Sequence, residues 1–188
     1  MADTEILGGA GFLLEPAGTR PIFTPEAFSD EQTLFYRTAL EFMEREVLPK
    51  NERIEKMEDG LLPTLIGKAG ELGILGIDVP EQYGGLGLDK TTSALVGEAL
   101  AMQASFAVAL GVQTGIGTLP ILIFGTEEQK HRYLPALVTG SKISAYCLSE
   151  PGSGSDALGA RTTAVRDGDA YVLNGVKAWI SNAGFADV

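Results

Sequence analysis

The feature that most constrains this chain is a change of hydrophobic period at Gly140. Up to that point the apolar residues recur at helical spacing; beyond it the chain breaks into short runs of β-branched and small residues between turn signals. One chain must therefore fold as a helical unit followed by a β unit. Three stretches follow: an irregular arm with glycines and prolines over 1–29, a helical region over 30–142, and a β region over 143–188.

In the helical region the first helix starts at Ser29 or Asp30, with Asp30 and Glu31 in its opening turn. Leu34, Phe35, Phe42, Met43 and Val47 are expected on one face, and Pro49 disrupts the pattern. A second helix is expected over 61–72, ending at Gly73. The stretch GIDVPEQYGGLGLDK reads as a loop, and a long helix follows from Lys90 to Leu110. Thr126 is the expected N-cap of a last helix that Gly140 closes.

In the β region, 143–149 (ISAYCLS) and 160–167 (ARTTAVRD) read as strands. Residues 170–181 divide at Asn174-Gly175, the strongest short hairpin signal, and RDGDA supplies another turn. Three or four strands cannot close a sandwich or barrel, so the β unit is expected to be incomplete or to pair with another chain. The fold class is α+β and multidomain: an all-α helical bundle, then part of an antiparallel β-barrel or sandwich domain.

Charge and composition exclude several classes. Fourteen basic against 25 acidic residues give a net charge of −11, which argues against non-specific nucleic-acid binding. Local amides and hydroxyls can still bind an anionic ligand. A single cysteine, Cys147, permits no intrachain disulfide and fits a reducing setting. The start shows neither signal-peptide nor transit-peptide character, so a cytoplasmic location is expected. No stretch is read as reaching the ~18 or more apolar residues of a spanning helix. Residues 99–117 (ALAMQASFAVALGVQTGIG) are taken as a buried helix, and membrane association is not indicated.

The loop YCLSEPGSGSD, residues 146–156, is the main candidate for chemistry. Gly152 and Gly154 allow unusual backbone angles or close approach to a ligand, Ser149, Ser153 and Ser155 offer hydroxyls, and successive amides can form an anion nest. It matches neither a P-loop nor a GxGxxG motif. From the loop alone, a plain strand connection and a ligand site both remain open.

Two further motifs, GTEEQKHRYLP (125–135) and NGVKAWISN (174–182), flank this loop in the chain. With YCLSEPGSGSD between them, they resemble the acyl-CoA dehydrogenase family in order and spacing, over nearly the whole chain. GGAGFLLEP and FTPEAFSDEQ resemble its long-chain and very-long-chain branch.

The resemblance implies FAD as cofactor and acyl-CoA as substrate. Tyr146, Cys147, Leu148 and Ser149 would line the flavin edge, and Gly154 and Ser155 would approach the pyrophosphate, with Ser155 also touching acyl-CoA. Trp179, Ile180 and Ser181 would meet the flavin ring. The implied reaction is α,β-dehydrogenation of a fatty acyl thioester to a trans-2-enoyl-CoA, as in fatty acid β-oxidation, with electrons passed to electron-transfer flavoprotein.

The family's base is a glutamate of a C-terminal helical domain, so no catalytic residue is assigned here. The 188 residues alone are expected to be inactive and to bind FAD weakly, and a homo-oligomer, dimer or tetramer, is implied. The alternatives are an oxygen-using acyl-CoA oxidase and a non-catalytic flavin or CoA scaffold. No metal site is indicated. The residues themselves leave blander roles: Trp179 as a core aromatic, Cys147 as an inert buried thiol, His131 on a solvated face, and Glu150 and Asp156 as loop-fixing groups.

Overall fold

The computed structural model describes residues 11–14, 16, 18 and 23–188. Most of the arm assigned to 1–29 lies outside the described residues, as does the start of GGAGFLLEP.

Helix α1, Asp30–Phe42, begins with a reciprocal cap. The Gln32 amide donates to Ser29 Oγ at 3.1 Å and the Ser29 amide to Gln32 Oε1 at 2.9 Å. Gln32 Nε2 then donates to Asp89 Oδ2 at 2.9 Å, and Asp89 caps α4, Lys90–Leu100, by accepting from the Thr92 amide at 2.8 Å. The starts of two helices far apart in the chain are tied by one side chain, and α1 packs chiefly along α4. The buried face of α1 carries Ala39 and Phe42, continuing into Met43 and Val47, whereas Leu34 is 63% exposed. Leu34 is a correction to the expected stripe: it sits five residues before Ala39, on the far side of a 3.6-residue turn.

Beyond α1 the chain passes through a π turn, Met43–Val47, and a 3-10 turn holding Pro49 into α2, Asn51–Glu55. Helix α3, Leu61–Glu71, ends as the sequence indicates: Gly73 turns the chain at φ +78°. The long helix expected from Lys90 to Leu110 is two helices, α4 and α5, Ala104–Val112. Gln103 makes the break. Its extended backbone and its Oε1, accepting from the Phe106 amide at 2.6 Å, start a new helix, while its Nε2 donates to Glu55 Oε1 at 2.7 Å. Glutamine is not a preferred cap residue, so nothing local announces this break.

From α5 the helix continues through a second π turn, Gln113–Gly117, into α6, Leu119–Phe124. Residues 104–124 are long and apolar enough to cross a membrane by length and composition, which corrects the reading that no stretch reaches that size. Only 33% of the apolar window is buried, so the expectation of a buried helix holds for one face. Phe106, Ala109, Leu110 and Gln113 point inward, while Val108, Ile116 and Phe124 are exposed. Helix α7, Glu127–Val138, carries a second capping box, from Thr126 and Gln129, and Gly140 at φ +70° ends the helical region.

One large core joins α1, α2, α3, α4 and α5, from Phe42 and Met43 through Ile54, Leu65, Ile66 and Phe106 to Ile143. A smaller one gathers Val79, Tyr83, Leu134 and Val138. The loop over 76–90 packs on α7, where a Cβ on Gly84 would lie 3.5 Å from Val138 Cγ2, and folds tightly on itself, where a Cβ on Gly85 would lie 1.9 Å from the Val79 carbonyl oxygen.

The β region departs furthest from expectation. Its regular sheet, among the described residues, is one antiparallel ribbon: β1, Thr163–Asp167, and β2, Ala170–Asn174, with Thr163 opposite Asn174 and Asp167 opposite Ala170. The two-residue turn is Gly168-Asp169, with Gly168 at φ +60° in its first position, so the turn read from RDGDA is the one used. Asn174-Gly175 is not a hairpin turn. A Cβ on Gly175 would lie 2.1 Å from Thr162 Oγ1, so close approach, not turn geometry, demands that glycine. Residues 143–149 and 175–181 form no ladder, and the second segment bends at Trp179. The first is bonded at its start to 187–188 and at its end to Ala178, with a tight Leu148 N to Tyr146 O contact of 3.2 Å between. That contact folds the backbone out of the pleat.

Candidate functional site

The two motif segments meet beside the helical unit. The Ala178 amide donates to Ser149 O at 2.9 Å, which brings the end of the first segment against the second. An open cavity of about 280 Å³ lies there, lined by Tyr146, Leu148, Ser149, Trp179, Ile180 and Ser181, with Val112 and Ile116 of the helical unit as its floor. Six of the nine residues named from the sequence thus converge on one space. Among the described residues neither the Ser149 nor the Ser181 hydroxyl has a hydrogen-bond partner, and the Trp179 ring is 95% exposed. Hydroxyls free to donate, an uncovered indole and an apolar floor suit a flat, polar-edged ring.

The remaining three lie elsewhere. Gly154 and Ser155 are exposed and line neither this cavity nor the depression beside it, of about 300 Å³, which Pro151, Gly152, Arg161 and Gly175 border. Cys147 is exposed, which corrects the expectation of a buried thiol. The Leu148 amide to Tyr146 carbonyl contact turns the chain at Cys147, and Tyr146 and Leu148 line the cavity while Cys147 does not. Neither Gly152 nor Gly154 adopts a left-handed φ, and a Cβ on either would meet nothing within 4 Å. No contact inside the described chain requires glycine at these two places.

Glu150 and Asp156 fix the loop, as read from the sequence. Glu150 and Ser153 exchange backbone hydrogen bonds of 2.9 and 3.1 Å, and Ser153 Oγ donates to Asp156 O at 2.6 Å. The buried Glu150 carboxylate accepts from the Arg161 amide at 2.7 Å, the Thr162 amide at 2.9 Å and Lys177 Nζ at 2.9 Å. The Thr162 hydroxyl is buried beside it without reaching hydrogen-bond geometry. That hydroxyl, the two amides and the ammonium hold the Glu150 carboxyl down to about 2, against an ordinary 4.5. Lys177 Nζ also donates to Leu148 O at 3.0 Å, so one ammonium ties the loop to the cavity's edge. His131 is exposed, as expected, with its ring edge-on to Tyr83 at 5.1 Å.

Sequence reasoning did not single out Val112, Ile116, Lys177, Gln113, Ser144 or Asn182. The first two sit on helix 104–124, which is apolar all round, so no periodic pattern marked the face that lines the cavity. Asn182 closes the NGVKAWISN motif and was visible only as part of it.

Residues 29–141 match the acyl-CoA dehydrogenase N-terminal domain, and residues 145–188 match the middle domain of the same family. The chain belongs to the acyl-CoA dehydrogenase family. It is 52% identical over 186 residues to a probable acyl-CoA dehydrogenase of Bacillus subtilis, covering 98% of this chain and 31% of that protein. It is 41% identical over 172 residues to the human mitochondrial very long-chain specific acyl-CoA dehydrogenase, covering 87% and 26% respectively. Among solved structures, an acyl-CoA dehydrogenase from Bacillus anthracis complexed with FAD superposes with a TM-score of 0.86 at 54% identity, over 88% of this chain and 29% of that one. The chain therefore spans under a third of the length of these acyl-CoA dehydrogenases.

Proposed function

We propose that this chain supplies the flavin-binding part of an FAD-dependent acyl-CoA dehydrogenase that desaturates fatty acyl thioesters between Cα and Cβ. The observation that carries the reading is the single cavity lined by Tyr146, Leu148, Ser149, Trp179, Ile180 and Ser181. Its donor set fits the group: two unengaged hydroxyls, an exposed indole and an apolar floor match a planar ring with hydrogen-bonding edges. The FAD-bound Bacillus anthracis relative supports the same cofactor here.

FAD, when bound, supplies the hydride acceptor. The chain's residues hold and orient it. Ser149 and Ser181 donate hydrogen bonds to the ring's polar edges, and donors aimed where negative charge develops favour the reduced form. Trp179 covers a ring face and, with Val112 and Ile116, excludes water. Gly152 and Gly154 let a phosphate approach backbone amides, and Ser155 stands beside them. No residue here is assigned as the base that removes the α proton.

Electron-transfer flavoprotein is the proposed acceptor and fatty acid β-oxidation the proposed setting; very long-chain and short-chain specific human relatives match at 41% and 40% identity, so the acyl length is left to the titration below. The test is anaerobic titration of the full-length protein with acyl-CoAs of graded length, followed at the flavin absorption band. Bleaching, then reoxidation by electron-transfer flavoprotein much faster than by air, is expected. Fast reoxidation in air would replace the dehydrogenase reading with an oxidase. Absence of bound flavin would remove both.

A further inference from the structure

The two edges of the cavity are joined by the Ala178–Ser149 backbone bond and, behind it, by a buried amide network centred on Gln113, whose outermost member is Asn182. Gln113 is fully buried and begins the π turn Gln113–Gly117. Its Nε2 donates to Leu137 O at 2.9 Å and Lys142 O at 3.0 Å, and its Oε1 accepts from the Ser144 amide at 2.7 Å and Ser144 Oγ at 3.0 Å. A primary amide has two donor and two acceptor positions, and all four are used. The π turn fits closely against Ser144: a Cβ on Gly117 would lie 2.1 Å from Ser144 Oγ. Ser144 is thereby locked to the helical unit two residues before Tyr146.

Asn182 extends this lock to the other edge. Its side chain is buried, and Nδ2 donates to Ala109 O at 2.9 Å and to Ser144 O at 3.2 Å. One amide thus joins helix α5, the 144–149 edge and the 179–181 edge. Trp179 and Asn182, which bracket Ile180 and Ser181, both sit in the left-handed region, at φ +60° and +65°. Asparagine tolerates that region better than most residues, but strain of this kind persists only where its surroundings hold it.

We propose that Asn182 is a positioning residue for hydride transfer: its bonds to Ala109 and Ser144 set the spacing between the Tyr146–Ser149 and Trp179–Ser181 edges, and so the placement of the flavin ring between them. This rests on the flavin reading above. A displacement of about 1 Å at a reacting centre can lower a rate by about a hundredfold, so a residue acting only through others can govern turnover.

The decisive variant in the full-length protein is Asn182→Gly, because glycine accepts φ +65° and removes both donors. Asn182→Asp keeps the shape and places carboxylate oxygens against two carbonyls. For Asn182→Gly, a fall in kcat of about tenfold or more is expected, with KM for acyl-CoA within about twofold and a changed visible spectrum of the bound flavin. Asn182→Asp is expected to exceed it. Wild-type kcat and flavin spectrum in Asn182→Gly would overturn the proposal. So would loss of the helical circular-dichroism signal, which would show Asn182 holding the fold instead of the cavity. A wild-type protein that takes up no flavin would instead overturn the proposed function, which keeps the two failures distinct.

Discussion

The helical unit and the ribbon that follows it are stabilised in different ways. In the helical unit, side chains from five helical segments bury one another; Phe106, Met43, Leu65 and Ile66 are sealed from solvent. In the ribbon every residue of β1 and β2 is exposed, including Val165, Tyr171, Val172 and Leu173. A two-stranded ribbon with both faces open has no core of its own and depends on its hydrogen bonds and attachments. Those attachments are polar: Glu150 with Lys177 at one end, Gln113, Ser144 and Asn182 at the other. Apolar burial gives stability without direction, whereas hydrogen bonds fix distance and orientation. The cavity lies where the second kind of attachment meets the first.

This contrast can be broken by substitution, and the largest effect is expected in the helical core. Phe106→Ala empties a site at the centre of the main cluster, where the ring lies 5.8 Å from that of Phe42. A loss of about 3–5 kcal/mol is expected in urea unfolding, and a loss below 1 kcal/mol would mean the core is not the cooperative unit described. Removing the α7 cap should cost less. Thr126→Ala leaves the Gln129 amide without its partner and is expected to cost about 1 kcal/mol, read in the same assay.

The polar attachments respond to pH instead. The folded-state value of Glu150 is depressed from 4.5 to about 2, so its contribution is fully present above pH 4.5 and is lost as pH falls through about 2. Protection of the Arg161 and Thr162 amides, taken relative to their intrinsic exchange at each pH, should fall as pH is lowered across that window, and Glu150→Gln should flatten the dependence. Unchanged protection down to pH 2 would show that the carboxylate does not hold the loop. The smallest effect belongs to the ribbon face. Leu173→Ser, at a position 71% exposed, should change unfolding free energy by less than about 0.5 kcal/mol. A larger change would place Leu173 against a surface and dissolve the distinction between the two regions.

Much of this was legible locally. The change of period at Gly140, the caps at Ser29 and Thr126, the glycine stops at Gly73 and Gly140, and the turn in RDGDA are set by backbone angles and hydrogen bonds within about four residues, so the sequence by itself determines them. The motifs likewise name the residues that line the cavity. Only the tertiary structure decided that Gln103 breaks a helix, that Leu34 and Cys147 face solvent, that Gly175 serves packing and not a turn, and that Asn182 joins two edges. The Gln103 break and the Asn182 bridge depend on partners remote in the chain: 48 residues separate Gln103 from Glu55, and 73 separate Asn182 from Ala109. A side-chain amide can cap, bridge or face water with equal ease, and which it does is set by the groups the fold brings within about 3 Å of it.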